Sequence, residues 1–311
     1  MSAVFSTYRV AALMDESMFD LPEDAAHTTK RGEPWLRWAR VGDYSGWYAV
    51  GERKPDFGER LSFWEAVLTL ATEVGNGTLD AVHCIGPGIL SVGGLGVTAS
   101  SGYAQALLAD CLDAAPSHFL NHMGRVICES GAWVHTDEHG SVAFASADGT
   151  LATDHGEIEF LVRRGGSTSG WQWTAFRKSI AKLWVESISR MLRHPKLDEV
   201  QVRFCQQHVP RLIAPMQSLI NWPRKGIRDG WMFTKEQQAL WCVIMVAAIE
   251  DEEQTLALVQ DCIETSPADA RRSLQNLHEK ANDAAYTETF VARVRNSVRR
   301  VQELFGIEVL G

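Results

Sequence analysis

The periodicity of this chain changes abruptly at Glu73. Before it runs Arg60-Leu-Ser-Phe-Trp-Glu-Ala-Val-Leu-Thr-Leu-Ala-Thr72, with apolar residues at helical spacing. After it comes Val-Gly-Asn-Gly-Thr78, which no helix retains, because each glycine costs a helix about 1 kcal/mol relative to alanine. Residues 79–98 are punctuated by Gly86-Pro-Gly88 and Gly93-Gly-Leu-Gly96 and read as short strands joined by tight turns. A buried helix therefore ends on a lone carboxylate that faces a small hairpin.

The rest of the chain is arranged around this junction. Residues 1–58 look irregular, with turn signals at Leu21-Pro, Lys30-Arg-Gly-Glu-Pro34 and Pro55-Asp-Phe-Gly58. Within them Trp35-Leu-Arg-Trp and Gly46-Trp-Tyr-Ala-Val read as a hairpin, in a flap packed on the main domain or a small wall-binding element. Ser100-Ser-Gly-Tyr-Ala-Gln-Ala opens a helix with a serine cap. A second helix follows Pro116 to Ser130, with Gly131 as its C-cap. Residues 132–163 form a β insertion, with strands at Ala132-Trp-Val-His, Ser141-Val-Ala-Phe-Ala and Ile158-Glu-Phe-Leu-Val162. From Trp171 the pattern is helical, over roughly 171–193, 196–219, 234–249, 252–264, 268–280 and 284–305. The expected fold class is α+β and mainly helical. One domain is expected over 59–311, because neither β patch can bury its apolar face alone.

Composition narrows the function classes. The 311 residues are 45% hydrophobic and 22% charged, enough to bury a core without staples. A net charge of −9 and a pI near 5.6 argue against a general nucleic-acid binder. The basic residues Arg293, Arg295, Arg299 and Arg300 read as a solvated helix face. The six cysteines, Cys84, Cys111, Cys128, Cys205, Cys242 and Cys262, lack any C-x-x-C pair and read as reduced thiols. No signal-peptide core is seen at the N-terminus, and the apolar run at 240–249 is too short to span a bilayer. Synthesis in the cytosol without a transmembrane segment is expected, so reaching a cell wall requires a holin, lysis or an injection device.

The junction also constrains chemistry. Glycoside cleavage needs a proton on the leaving oxygen, from a carboxylic acid whose pKa is raised by apolar surroundings. Glu73 shares a helix face with Ala66, Thr69 and Leu70, at a helix C-terminus whose partial negative charge disfavours ionisation. A solvated surface glutamate is the plainer alternative. Asp80, seven residues on, is the candidate second carboxylate, as base, as nucleophile or as a turn residue. Ser91 and Thr98 are candidates to hold a water. The hairpin glycines let backbone approach a ligand closely, or serve tight turns.

The segment from Glu73 to Thr98, followed by Ser100-Ser-Gly-Tyr-Ala-Gln-Ala-Leu-Leu108, resembles the catalytic segment of the lysozyme-like superfamily. The resemblance covers about residues 60–112. It is closest to phage and contractile-injection-system peptidoglycan hydrolases, with chitosanases related. It rests on Glu73-Val-Gly-Asn76 and Ser91-Val-Gly93. It implies a glycosidase or lytic transglycosylase with Glu73 as its acid, peptidoglycan glycan strands as partner, and a phage or injection-particle setting. The chain departs from that pattern at Ile85-Gly-Pro-Gly88, where relatives carry an Asp or aromatic, and near Val97, where they carry a Gln.

Other constellations complete the expectations. Tyr103, Gln105, Trp171, Trp173 and Trp222 are candidate substrate-binding residues, the tryptophans stacking on sugar faces or packing in a core. His135, Asp137 and His139, with Asp154 and His155, form either a polar hairpin tip or a metal cluster, and the tip is favoured. His83-Cys84 lacks the partners of a thiol nucleophile. No P-loop or dinucleotide fingerprint occurs, and no cofactor or metal is expected. Two functions follow: a wall-cleaving glycosidase, or a non-enzymatic virion structural or interaction protein on the same scaffold.

Overall fold

The structure, a computed structural model, describes residues 36–41, 44–58, 60–75, 77–130, 133–136, 142–145, 150–163, 175–217, 234–262, 270–280 and 286–309. It is an α+β protein, mainly helical, with small antiparallel sheets. Two compact units are present. The first contains the described residues up to 55 and from 75 to 201; the second contains 56–74 and 202 onward.

The first unit is built on a five-stranded antiparallel meander: β1 (Leu36–Val41), β2 (Tyr44–Ala49), β3 (Val82–His83), β4 (Ser91–Val92) and β5 (Val97–Thr98). Tyr48 pairs with His83, His83 with Ser91, and Ser91 with Thr98. Because β2 joins β3, residues 36–49 belong to this sheet. The sequence reading had set 1–58 apart as an extension and run one domain through 59–311. The glycine-rich hairpin is present as expected, with left-handed backbone at Gly86, Gly93 and Gly96. A second sheet holds β6 (Trp133–Thr136), β7 (Val142–Ala145) and β8 (Leu151–Ala152). Helices α2 (Tyr103–Ala114), α3 (Pro116–Ser130), α4 (His155–Arg163) and α5 (Ala175–Leu192) complete the unit, with Phe144 against Trp184 in its core. Helix α6 (Lys196–Leu212) begins here and continues into the second unit.

Two local expectations are corrected. Ile158-Glu-Phe-Leu-Val162 is helix, not strand. Ile158, Leu161 and Val162 are buried at i, i+3 and i+4 while Phe160 is 57% exposed, a helical rather than alternating pattern. Asp154 and Glu157 cap it reciprocally: Asp154 Oδ1 accepts the Glu157 N–H at 2.8 Å, and Glu157 Oε2 accepts the Asp154 N–H at 3.2 Å. Helix α2 starts at Tyr103 rather than on a serine cap. Gly102 is its N-cap at φ 81°, and the Ser100 and Ser101 hydroxyls turn back to Thr98.

The second unit is all helical in its described residues: α1 (Phe63–Val74), the remainder of α6, α7 (Ala214–Gln217), α8 (Lys235–Glu250), α9 (Glu252–Cys262), α10 (Ala270–Lys280) and α11 (Glu288–Phe305). Residues 239–249 of α8 are all buried, the mark of a central helix apolar on every side. Helices α1, α9, α10 and α11 pack around it. A capping box starts α8, in which Thr234 Oγ1 accepts the Gln237 N–H and Gln237 Oε1 accepts the Thr234 N–H. Helix α11 presents Phe290, Val294, Val298 and Val301 as its buried stripe and ends at left-handed Gly306. Among the described residues no helix is long and apolar enough to cross a membrane.

Candidate functional site

Glu73 ends helix α1, as the sequence reading placed it, but its surroundings differ from those expected. Thr69 and Leu70 are buried, whereas the Glu73 side chain is 32% exposed. It faces Arg300 of α11 in the same unit. Arg300 Nε donates to Glu73 Oε2 at 2.5 Å and Nη2 to Oε1 at 2.9 Å, a two-point clasp. Arg300 also pairs with Glu303. The hydrogen bonding it donates to Glu73 is the main reason the guanidinium is held above its usual pKa. The clasp uses Glu73 as an anion, so the apolar, proton-holding environment expected for a general acid is not what surrounds it. The supposed basic surface of α11 is likewise partly engaged, with Arg293 buried.

The other candidates belong to the first unit. Asp80 is fully buried, at 0% exposure. Its carboxylate accepts the Glu52 N–H at 3.1 Å, the Arg53 N–H at 2.9 Å and Arg193 Nε at 3.2 Å. Arg53 in turn donates to the Arg193 carbonyl at 2.7 Å and pairs with Asp198. Burial pushes the Asp198 carboxyl up to about 6, with the Arg53 charge opposing. Asp80 thus fastens the β2–β3 connection from within the unit.

Ser91 and Thr98 are brought together, as register partners on β4 and β5, and both are buried. Thr98 Oγ1 donates to Ser101 Oγ at 2.9 Å, which organises the turn into α2. Gln105 is buried and its Nε2 donates to the Ala99 carbonyl at 2.9 Å, so it closes the same turn. Tyr103 is half-buried at the start of α2. Trp171, Trp173 and Trp222 lie outside the described residues, as do Asp137 and His139 of the suggested metal cluster. Among the described residues no group of His, Cys, Asp or Glu is placed to hold a metal ion.

Two of the hairpin glycines lie close against the protein's own atoms. A Cβ at Gly93, whose φ is 75°, would meet Gln201 Oε1 at 2.6 Å, the oxygen that accepts the Gly94 N–H at 2.9 Å. A Cβ at Gly88 would meet the Thr98 methyl at 2.8 Å. The loop that carries Gly88 is held from inside by Arg163 of α4, which is fully buried. Its Nη2 donates to the Gly86 and Ile89 carbonyls at 3.2 and 3.1 Å, and Nη1 to Glu159 at 3.1 Å. Sequence reasoning missed Arg163; its one signal was an arginine closing an apolar helical stripe.

A surface cleft of about 570 Å³ lies elsewhere in the first unit, lined by Leu151, Ala152, Asp154, Glu157, Phe160 and Leu161. Of the sequence-derived candidates only Asp154, from the suggested metal cluster, lines it. Comparison with protein-family models, curated proteins and solved structures finds no match.

Proposed function

We propose that this chain is a non-enzymatic structural or interaction protein that keeps the layout of a lysozyme-like scaffold while its would-be acid serves as an ion-pair residue. The observation that carries this reading is the two-point clasp of Glu73 by Arg300. A general acid must hold a proton until the leaving oxygen takes it, and a carboxylate that accepts two guanidinium N–H bonds is occupied as an anion. The departures at Ile85-Gly-Pro-Gly88 and near Val97 point the same way, as does the burial of Asp80, Ser91 and Thr98. The proposed setting is a phage or related injection particle.

The wall-cleaving reading keeps one supporting observation: Glu73 sits in the last turn of its helix and retains solvent access. The deciding experiment incubates purified Gram-negative and Gram-positive sacculi with the full chain and with Glu73→Gln, and assays soluble muropeptides by mass spectrometry. No release by either protein is the expected result. Release by the wild type that vanishes in a folded Glu73→Gln variant would replace our reading with a Glu73-dependent glycosidase.

A further inference from the structure

Three imidazoles meet in the first unit. His118 and His122 lie one turn apart on α3, and His194 sits in the turn between α5 and α6. The His118 ring centroid is 4.6 Å from that of His122 and 4.5 Å from that of His194. All three are half-buried. Backbone groups specify two of the neutral tautomers. His118 Nε2 lies 2.9 Å from the Met191 carbonyl, which only accepts, so this nitrogen carries the proton. His194 Nδ1 accepts the Lys196 N–H at 3.2 Å, which leaves the proton of the neutral ring on Nε2.

The charged groups on the elements around the cluster are of both signs. Helix α5 and its following turn supply Arg190, paired with Glu186 at 2.9 Å, and Arg193, paired with Asp80 and Glu52. Helix α6 supplies Lys196, whose Nζ donates to the Ala114 carbonyl at 2.6 Å, and Asp198, paired with Arg53. Helix α2, also packed on α3, carries Asp110 and Asp113 as its carboxylates.

We propose that the His118–His122–His194 cluster is an acid-sensitive latch between α3 and the α5–α6 turn, closed while the rings are neutral and opened by their protonation. A proton on His194 Nδ1 abolishes its acceptor bond to Lys196 and sets an N–H against an N–H. Charges on His118 and His194 repel across the short ring separation, in company with Arg190 and Lys196. Burial, His118 and Arg190 all hold the His122 ring below the usual imidazole pKa. The opened arrangement therefore binds more protons than the closed one. By linkage, the latch is fully closed above the ordinary histidine value of about 6.5 and loosens as pH falls below it. Asp198 acts in the opposite sense, since its protonation near pH 6 relieves a buried charge, so the test leaves it unaltered.

The test is hydrogen-exchange mass spectrometry of the full chain at pH 7.5 and 5.5, with rates corrected for intrinsic exchange. Residues 239–249 of α8, which carry no histidine, carboxylate or amine side chain, serve as the internal reference. The wild type is expected to lose protection over 116–126 and 190–198, by up to about tenfold for one proton taken up one pH unit below the ordinary histidine value, with no comparable loss in the reference. The variant His118→Gln/His194→Asn keeps a donor to Met191 and an acceptor for Lys196 but cannot charge at these two positions, and its loss of protection should be clearly smaller than that of the wild type. Should that variant fail to fold, His122→Gln is measured instead and should show a reduced loss. Equal losses in wild type and variant, or none in the wild type, would overturn the proposal.

Discussion

His83 is 2% exposed on β3, edge-on to Tyr48 at 6.3 Å between ring centroids, and its Nδ1 has no hydrogen-bond partner among the described residues. Burial pushes its pKa down to about 4. Folding therefore holds the ring neutral, and the folded chain binds fewer protons here than the unfolded one. The stability it contributes is complete above the unfolded value near 6.5 and is withdrawn as pH falls toward 4, a loss on the order of 3 kcal/mol. Urea unfolding between pH 7.5 and 4.5 should show a shallower pH slope for His83→Asn than for the wild type; parallel slopes would place the acid sensitivity elsewhere. Glu73 works by a different logic. Its clasp with Arg300 is about a third exposed, so solvent screening limits it to about 0.5–1 kcal/mol. The clasp decides what Glu73 does far more than it decides whether the chain folds.

Arg163 governs an element rather than a point. Its guanidinium satisfies the carbonyls of Gly86 and Ile89, and Ile89 is a buried residue held at φ 64°. Removing it leaves these acceptors and Glu159 without their cation in a dry interior. Arg163→Met should cost about 3–5 kcal/mol in urea unfolding, whereas Phe160→Ser on the exposed side of the same helix should stay within about 0.5 kcal/mol. A near-neutral Arg163→Met would mean that the loop is held otherwise. The helix carrying these residues was misread as a strand because Ile158, Phe160 and Val162 also satisfy an alternating pattern. Leu161, buried between them, was the discriminating residue. By contrast the end of α1, the glycine-rich hairpin and most C-terminal helices were legible, since glycine positions and long apolar stripes report on backbone and burial directly. The partner of Glu73 was not legible, because Arg300 lies 227 residues away in sequence.

At the scale of the molecule, the second unit is discontinuous. Helix α1 belongs with α8 and α11 although the first unit's chain lies between them in sequence. Its buried face, from Phe63 to Thr72, has those helices as neighbours in this unit. A fragment of residues 202–311 should therefore lack cooperative unfolding by circular dichroism, and fusing residues 56–74 to it through a flexible linker should restore a sigmoidal transition. A cooperative 202–311 fragment would show that α1 is dispensable to the unit.

The same discontinuity sets a timetable at the ribosome. Helix α1 is synthesised early, yet Val298 of α11, part of the stripe that completes its unit, is added 224 residues after Val74. At about 5–20 residues per second, that wait is roughly 10–45 s. Throughout it, Phe63, Trp64, Val67, Leu68 and Leu70 form an apolar segment without its final neighbours, the kind of nascent stretch on which a holdase chaperone acts.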